Sequence, residues 1–415
     1  MLGQYNRAPM RTHPYFLDVF APSRRPSYPQ FRGIASARVV IIGGGLTGTA
    51  CAAAFATAGI KPMLLEAERV GGGATAGSPG LLRHDFDASF QESAARYGLR
   101  DARHLWESAR RASLDFAAAL RRLGVKSALE TQPLVQLTRA GSYGARQLRR
   151  EYDARRSAGL EASWLSSRAI QKELRIAADG AMRVKGDSID PYRTAIGLAA
   201  AAASRGAVIF ERSAVVRLRA RQKHVEIRTD RGTITADAVL VASGGAIADL
   251  RALRRHLPLQ RSFFVVTDPL PAAVRRELGS RTSAVEEIDA PVRVLRWLGG
   301  DRVLFSESME TPPARRPPAG AVAAHGMELM YRLTTLYPAI SGVQPAWTWD
   351  SETYGSADGL PIIGRHRNFP RHLFALGAGR NGAGVAWLAA RVLLRSYLEE
   401  PAKRDDAFGF ARLLG

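Results

Sequence analysis

The sequence predicts an α/β fold in which a Rossmann-like parallel sheet with a β-meander is interleaved with an antiparallel-sheet domain. Three observations predict it. A β-branched run at 38–42 leads directly into Gly43-Gly44-Gly45-Leu46-Thr47-Gly48 and then a small, apolar stretch, the strand–turn–helix order of a dinucleotide-binding unit. Residues 215–236 hold short strands punctuated by a turn at 230–232, the pattern of a meander. A second glycine-rich turn entering a helix recurs at 376–398, with antiparallel-type strands between the two patches.

Taken in order, residues 1–36 are aromatic and proline-rich without a continuous apolar run, which reads as an ordered arm rather than a secretory leader. The strand at 38–42 is followed by a helix over 46–58, for which Gly59 is the C-terminal cap, and by a strand at 62–66. Residues 88–123 read as two helical stretches parted near Gly98. An arginine-rich helix follows at 142–159 and an alanine-rich one at 193–205. Strands are expected at 208–210, 215–218, 224–228 and 233–236, then a buried parallel strand at 238–242 ending in Ser243-Gly244-Gly245. Longer antiparallel strands follow at 261–267, 292–297 and 302–306, a helix at 327–336, strands at 347–349 and 373–376, and a last helix at 385–398. On this reading 37–88, 160–260 and 350–400 form the dinucleotide-binding domain. Residues 89–159 and 261–349 form a substrate domain, and 401–415 are a C-terminal tail.

Composition narrows the function. With 415 residues, 46% of them hydrophobic and 23% charged, the chain buries a sizeable core. The formal charge of +21 invites a nucleic-acid reading. However, lysine stands only at 61, 126, 172, 185, 223 and 403, and the arginines are scattered rather than gathered in a stripe with aromatics. We therefore expect no nucleic-acid partner, and a positive surface that steers anionic molecules. The lone Cys51 excludes internal disulfides and cysteine-rich metal sites and fits a reducing cytoplasm. No His/Cys/Asp/Glu spacing suggests a metal. No apolar run approaches the roughly 18 residues that span a bilayer.

Three motifs carry the chemistry. In the first, Gly43 makes the tight turn, Gly45 admits a pyrophosphate to the backbone and Gly48 allows close helix–strand packing, while Leu46 and Thr47 open the helix whose free N–H groups face the phosphates. Glu66 ends the next strand about 20 residues on, the place of the acid that binds ribose hydroxyls. An acid with no nearby basic substitute argues against a 2′-phosphate. Second comes the loop from Gly71 to Gly80, including Gly73, Ala74 and Thr75, small enough to run along a flat ring. Third are Asp358-Gly359-Leu360-Pro361 and Gly377-Ala378-Gly379-Arg380-Asn381-Gly382-Ala383 before a helix, whose N-terminus could present positive potential to a bound ring.

In this order the motifs resemble the D-amino-acid oxidase superfamily, in the branch of glycine, sarcosine and gamma-glutamylputrescine oxidases. The likeness runs from about Tyr15 to Leu398. It implies FAD as cofactor. It also implies that Val215, after Phe210-Glu211-Arg212, lies at the adenine, and that Ser243 and Gly244 stand beside the FAD with Ala67. The activity it implies is oxidation of an amine or amino acid by hydride transfer from a C–N carbon to the flavin. A flavin-binding protein without turnover and an NAD-dependent dehydrogenase are the competing readings. Two departures stand out. The covalent-flavin cysteine of sarcosine oxidases is absent. The arginine that clamps the substrate carboxylate in glycine oxidases is replaced by the stretch Trp349-Asp350-Ser351, which points away from a simple α-amino acid. Such a site needs few protein acids or bases, because the cofactor carries the chemistry. For substrate orientation the sequence nominates Arg296, Trp297, Arg380 and His84, with Trp349 as a pocket wall.

Overall fold

The computed structural model describes residues 10–141, 144–245, 253–309, 320–402 and 404–413. The core of the dinucleotide unit grows from its small residues. Gly33–Ile42 runs parallel to Met63–Leu65 on one edge and to Gly232–Gly244 on the other. Between the first two strands the chain forms the helix Leu46–Thr57, in which Ala50, Cys51, Ala52, Ala53 and Phe55 are fully buried. Its alanines let two more helices, Pro191–Ala203 and Gly382–Tyr397, pack along it. A fourth, Leu99–Arg122, packs on Gly382–Tyr397, where Phe116 stacks on Trp387 with ring centroids 5.6 Å apart. Gly98, at φ +82°, separates it from the preceding helix Phe90–Tyr97, where the sequence places a break.

This first sheet has eight strands. Its path runs Val215–Ala220, Val225–Thr229, Gly232–Gly244, Gly33–Ile42, Met63–Leu65, Val208–Phe210, with Phe369–Leu376 and Ile362–His366 added beside Gly232–Gly244. The strands expected at 233–236 and 238–242 are one strand of 13 residues. It stays continuous because its first half pairs antiparallel with Val225–Thr229 and its second half parallel with Phe369–Leu376. Local patterning sees the change of partner, not the unbroken backbone.

The second sheet is almost wholly antiparallel. Its order is Pro345–Tyr354, Leu259–Thr267, Arg302–Met309, Val292–Leu298, Ala284–Glu287, Leu134–Leu137, Gly180–Val184, Ser163–Ser166, with one parallel pair between Ala284–Glu287 and Leu134–Leu137. Sheet membership and helix packing divide the chain differently from the sequence reading at three places. Ser163–Ser166 and Gly180–Val184, expected with the dinucleotide unit, lie in the second sheet. So does Pro345–Tyr354, whose last residues pass 350. Leu99–Arg122, expected with the substrate domain, packs on the first unit's helices. The arginine-rich helix begins by Gly144; Ser142 lies outside the described residues.

The described part of the arm packs against both sheets. Arg11 bridges Trp347 of the second sheet. Phe20 packs edge-on against Tyr192 of the first unit, and the Phe31 N–H donates to the Ser213 hydroxyl at 2.9 Å. The C-terminal tail is tied down by Arg412, whose Nε donates to Asp358 at 2.7 Å. No helix among the described residues is long and apolar enough to cross a membrane.

Candidate active site

The glycine turn is built as its residue types require. Gly43 sits at φ +105°, and a Cβ there would meet the Ala242 carbonyl oxygen at 2.6 Å. A Cβ on Gly48 would lie 1.8 Å from the Gly43 carbonyl oxygen, so this glycine serves helix–strand contact and does not face the cleft. The helix opens at Gly45 without a side-chain cap, leaving first-turn N–H groups that no intrahelical carbonyl can satisfy. One of them, Leu46 N–H, donates to the Thr75 hydroxyl at 2.9 Å, which ties the second glycine-rich loop to the first. Glu66 accepts from the Gly44 N–H at 2.6 Å and the Glu68 N–H at 2.9 Å. Burial raises its pKa, while these two bonds act in the opposite direction.

A cleft of about 400 Å³ brings the three motifs together. Gly43, Gly45, Leu46 and Thr47 line it with Glu66, with Gly73, Ala74 and Thr75, with Ser243 and Gly244, and with Gly379, Arg380, Gly382 and Ala383. These segments lie at the carboxyl ends of the parallel strands, where open α/β sheets bind ligands. The opposite wall is the face of the second sheet, including Ser262, Phe264, Val294, Ser306, Ser308, Ser351 and Thr353. The crevice is open to a dinucleotide. Its helix entry, glycine cradle and half-buried Glu66 carboxylate suit a diphosphate and its ribose.

Several nominated residues lie elsewhere. Arg296 is 6% exposed and does not line the cleft. Its Nη1 donates to the carbonyls of Pro79 at 2.5 Å, Gly80 at 3.0 Å and Ile189 at 3.2 Å. It braces the glycine loop from behind because the strand Val292–Leu298 presents Val294 to the cleft farther along the same face. Burial pushes its guanidinium down, to about 10, with Asp190 opposing the shift; it stays charged at neutral pH. His84 points into a separate small cavity with Trp106 and Lys185, its Nε2 3.2 Å from Asp187. Trp297 belongs to the core on the far side of the sheet. Trp349 stacks on Phe264 at 4.9 Å and donates from Nε1 to the Gly77 carbonyl at 3.1 Å, so it backs the wall that Phe264 presents. Val215 packs in the meander's core and Ala67 is exposed; neither lines the cleft. Asn381 is buried as the helix cap, accepting from the Gly384 N–H at 3.2 Å and donating to the Asp85 carbonyl.

Other lining residues escaped the sequence reading. Arg69 lines the cleft at the Glu66 end, half exposed and 3.7 Å from Glu211, so a basic group does stand near the ribose acid. The roof residues at 262/264, 306/308 and 351/353 are two apart on antiparallel strands, the period that puts side chains on one face. That periodicity was present in the sequence. Which face meets the cleft was not.

A buried charge network closes one end. Arg83 donates to Asp85 at 2.9 Å and Glu286 at 2.7 Å. Arg155 donates to Glu151 at 2.6 Å and Asp85 at 3.0 Å. Arg380 pairs with Glu286 at 3.2 Å and Asp87 at 3.5 Å. Burial pushes the Asp85 carboxyl up, but the Arg83 and Arg155 guanidiniums outweigh it and hold the group at about 2.

Fold and cleft together define a dinucleotide-binding oxidoreductase whose second sheet roofs the cofactor crevice. The chain belongs to the FAD dependent oxidoreductase (DAO) family, whose model matches residues 38–395, and FAD is its cofactor. It is 29% identical over 381 residues to the glycine oxidase of Geobacillus kaustophilus, covering 90% of this chain and 95% of that protein. It is 26% identical to the gamma-glutamylputrescine oxidoreductase of Escherichia coli, covering 89% and 85%. Among solved structures, the Geobacillus kaustophilus glycine oxidase superposes with a TM-score of 0.74 at 25% identity, covering 90% of this chain and 98% of that one. L-proline dehydrogenase from P. horikoshii shares the fold, at a TM-score of 0.75 and 16% identity over 93% of this chain and 98% of that one. The NAD-dependent reading falls with the family assignment.

Proposed function

We propose that this enzyme oxidises a C–N bond of a small amine or amino acid to an imine. The carrying observation is the single cleft in which the dinucleotide cradle, the second glycine-rich loop and the Gly379–Ala383 helix entry face the second sheet across one space. Relatives named for glycine and for gamma-glutamylputrescine support an amine or amino-acid substrate.

The residue roles follow from placement. The helix entry at Gly45 and Thr47 takes the diphosphate, with the Leu46 N–H held by Thr75, and Glu66 takes the ribose. Thr75 holds the glycine loop against the first helix, and Arg296 and Trp349 fix the same loop through the Pro79, Gly80 and Gly77 carbonyls. When bound, FAD supplies the two-electron sink, with oxygen or another acceptor regenerating it. A hydride from the substrate carbon would pass to that sink and a proton would leave the nitrogen, giving an imine for water to hydrolyse. The protein's part is orientation and exclusion of water: Phe264 and Val294 give the roof an apolar patch, and Arg380 orients polar groups at the charged end.

The test is the absorption spectrum of the purified protein, followed by anaerobic addition of secondary amines and amino acids. The reading requires a flavin spectrum that bleaches with at least one of them and recovers on air. A flavin spectrum that no amine or amino acid bleaches would overturn it.

A further inference from the structure

The roof of the cleft is unusually rich in hydroxyl groups. Ser262 pairs in register with Ser351 on one side and Ser308 on the other, so three serines cross the sheet in one row. Ser306 and Thr353 flank that row, and all five line the cleft. The Ser262 and Ser308 hydroxyls bond to each other at 2.7 Å. A hydroxyl offers one donor and two acceptor sites, so that pair keeps further capacity. Thr353 Oγ1 is buried without any partner, and a buried hydroxyl left unmatched is destabilising until something binds it. Ser306 and Ser351 have no side-chain hydrogen bond among the described residues, and a Cβ on Gly77 would come within 2.6 Å of the Ser351 hydroxyl oxygen.

The charges nearby are unfavourable to a substrate carboxylate. Arg380 is shared between Glu286 and Asp87. In the network behind it, Arg83, Arg155 and Arg380 face Asp85, Asp87, Glu151 and Glu286, leaving an excess of negative charge. Glu352 also lines the cleft, bonded to Arg261. Arg69, the other lining cation, stands beside Glu66 at the ribose end. In a protein of +21 formal charge the cleft lining thus sets only Arg69 and Arg380 against Glu66 and Glu352, and Arg380 is already held by two carboxylates, which leaves little to attract a substrate anion.

From this juxtaposition we propose that the serine row is a subsite for the hydroxyl groups of the substrate, and that the favoured substrate is an amino alcohol, an amine bearing hydroxyl groups in place of a carboxylate. The inference rests on the amine-oxidising reading above and names its substrate class. Hydroxyl groups satisfy Thr353 and the serine row without adding charge, whereas a carboxylate would have to compete with Glu286 and Asp87 for Arg380.

The test uses the FAD-loaded full chain and three ligands of one skeleton: sarcosine, N-methylethanolamine and N-methylpropylamine. Anaerobic rapid mixing reads two quantities, the dissociation constant from the perturbed flavin band and the rate of bleaching. One or two net hydrogen bonds correspond to about tenfold in affinity. N-methylethanolamine is therefore expected to bind about tenfold more tightly than either of the others. Thr353→Val and, separately, Ser262→Ala should each collapse its ratio to N-methylpropylamine toward one. Sarcosine binding as tightly as the amino alcohol overturns the proposal, and so does a ratio that neither variant moves. The two readings fail separately. Amines that bleach the flavin without amino-alcohol preference sink only the subsite. Preferential amino-alcohol binding with no bleaching by any amine or amino acid sinks the oxidation instead.

Discussion

Single positions in this enzyme divide into those that meet the cleft and those that shape it from behind. Gly48 is of the second kind. A side chain there would sit within bonding distance of the Gly43 carbonyl, so the turn would have to move. Gly48→Val is expected to cost several kcal/mol, about 3 or more, by overpacking a fixed backbone contact, and to yield protein that retains little flavin. Flavin absorbance per mole of purified protein checks it. Arg296 also acts from behind. It is a buried cation bonded to three carbonyls, and its removal takes a charged donor from each, leaving Gly80 with only the Ile189 N–H. Arg296→Met is expected to destabilise the fold by about 2–4 kcal/mol and to weaken FAD retention. Arg296→Lys should recover part of both, because an ammonium keeps the buried positive charge and its donors but reaches the three carbonyls from a shorter stem. Denaturant titration and flavin-release measurements follow the two effects. A side chain that touched only substrate would change neither.

At the scale of elements, the charged end of the cleft is where five parts of the chain meet: the strand Leu81–Arg83, the turn that follows it, the helix Gly144–Ser157, the strand Ala284–Glu287 and the entry to Gly382–Tyr397. Asp85 is the link, bonded to Arg83 and Arg155. Its folded-state pKa, held at about 2, lies below the roughly 3.9 of an unfolded aspartate. Stability from this group is therefore fully present above about pH 4 and is lost as pH falls toward 2. Asp85→Asn is expected to cost about 1–3 kcal/mol near neutral pH, because Arg83 and Arg155 each lose one charged acceptor while keeping Glu286 and Glu151. The gap between native protein and variant should narrow as pH drops from about 4 to 2. Urea unfolding across that range gives the answer, and a gap independent of pH would mean that packing, not charge, sets the loss. The Asp358 turn serves a comparable structural end. Its carboxylate holds Arg412, Tyr97 and Ser356, while the cleft is served by the glycines some 20 residues on.

For the whole molecule, the N-terminal arm has the widest reach. Arg11 bridges Trp347 on the second sheet and Trp347 Nε1 donates to Asp18 at 3.0 Å. Farther on, Tyr28 N–H donates to Glu211 at 3.3 Å, and the same carboxylate accepts from Val70 N–H at 2.9 Å at the start of the glycine loop. One short segment thereby joins the second sheet to the cofactor loop. A chain beginning at residue 32 is expected to have a lower melting temperature and faster flavin release, with added FAD recovering part of the stability by mass action. Thermal melts with and without excess FAD test this. Equal melting of the two chains would show the arm to be a passive cover.

The cofactor half of this enzyme was legible in the sequence because its signals are local. A glycine at positive φ, a strand running into a small-residue helix and an acid at the next strand's end are all set within about 30 residues, where sterics and hydrogen bonding act on neighbours. The substrate half was not. Arg296 and His84 were credible candidates until tertiary packing turned one beneath the glycine loop and the other into a separate cavity. The serine row exists only because strands some 45 and 90 residues apart in the chain come into register, and no local rule sets that alignment. Short-range chemistry thus determined what is bound, while the pairing of distant strands decided which side chains face it.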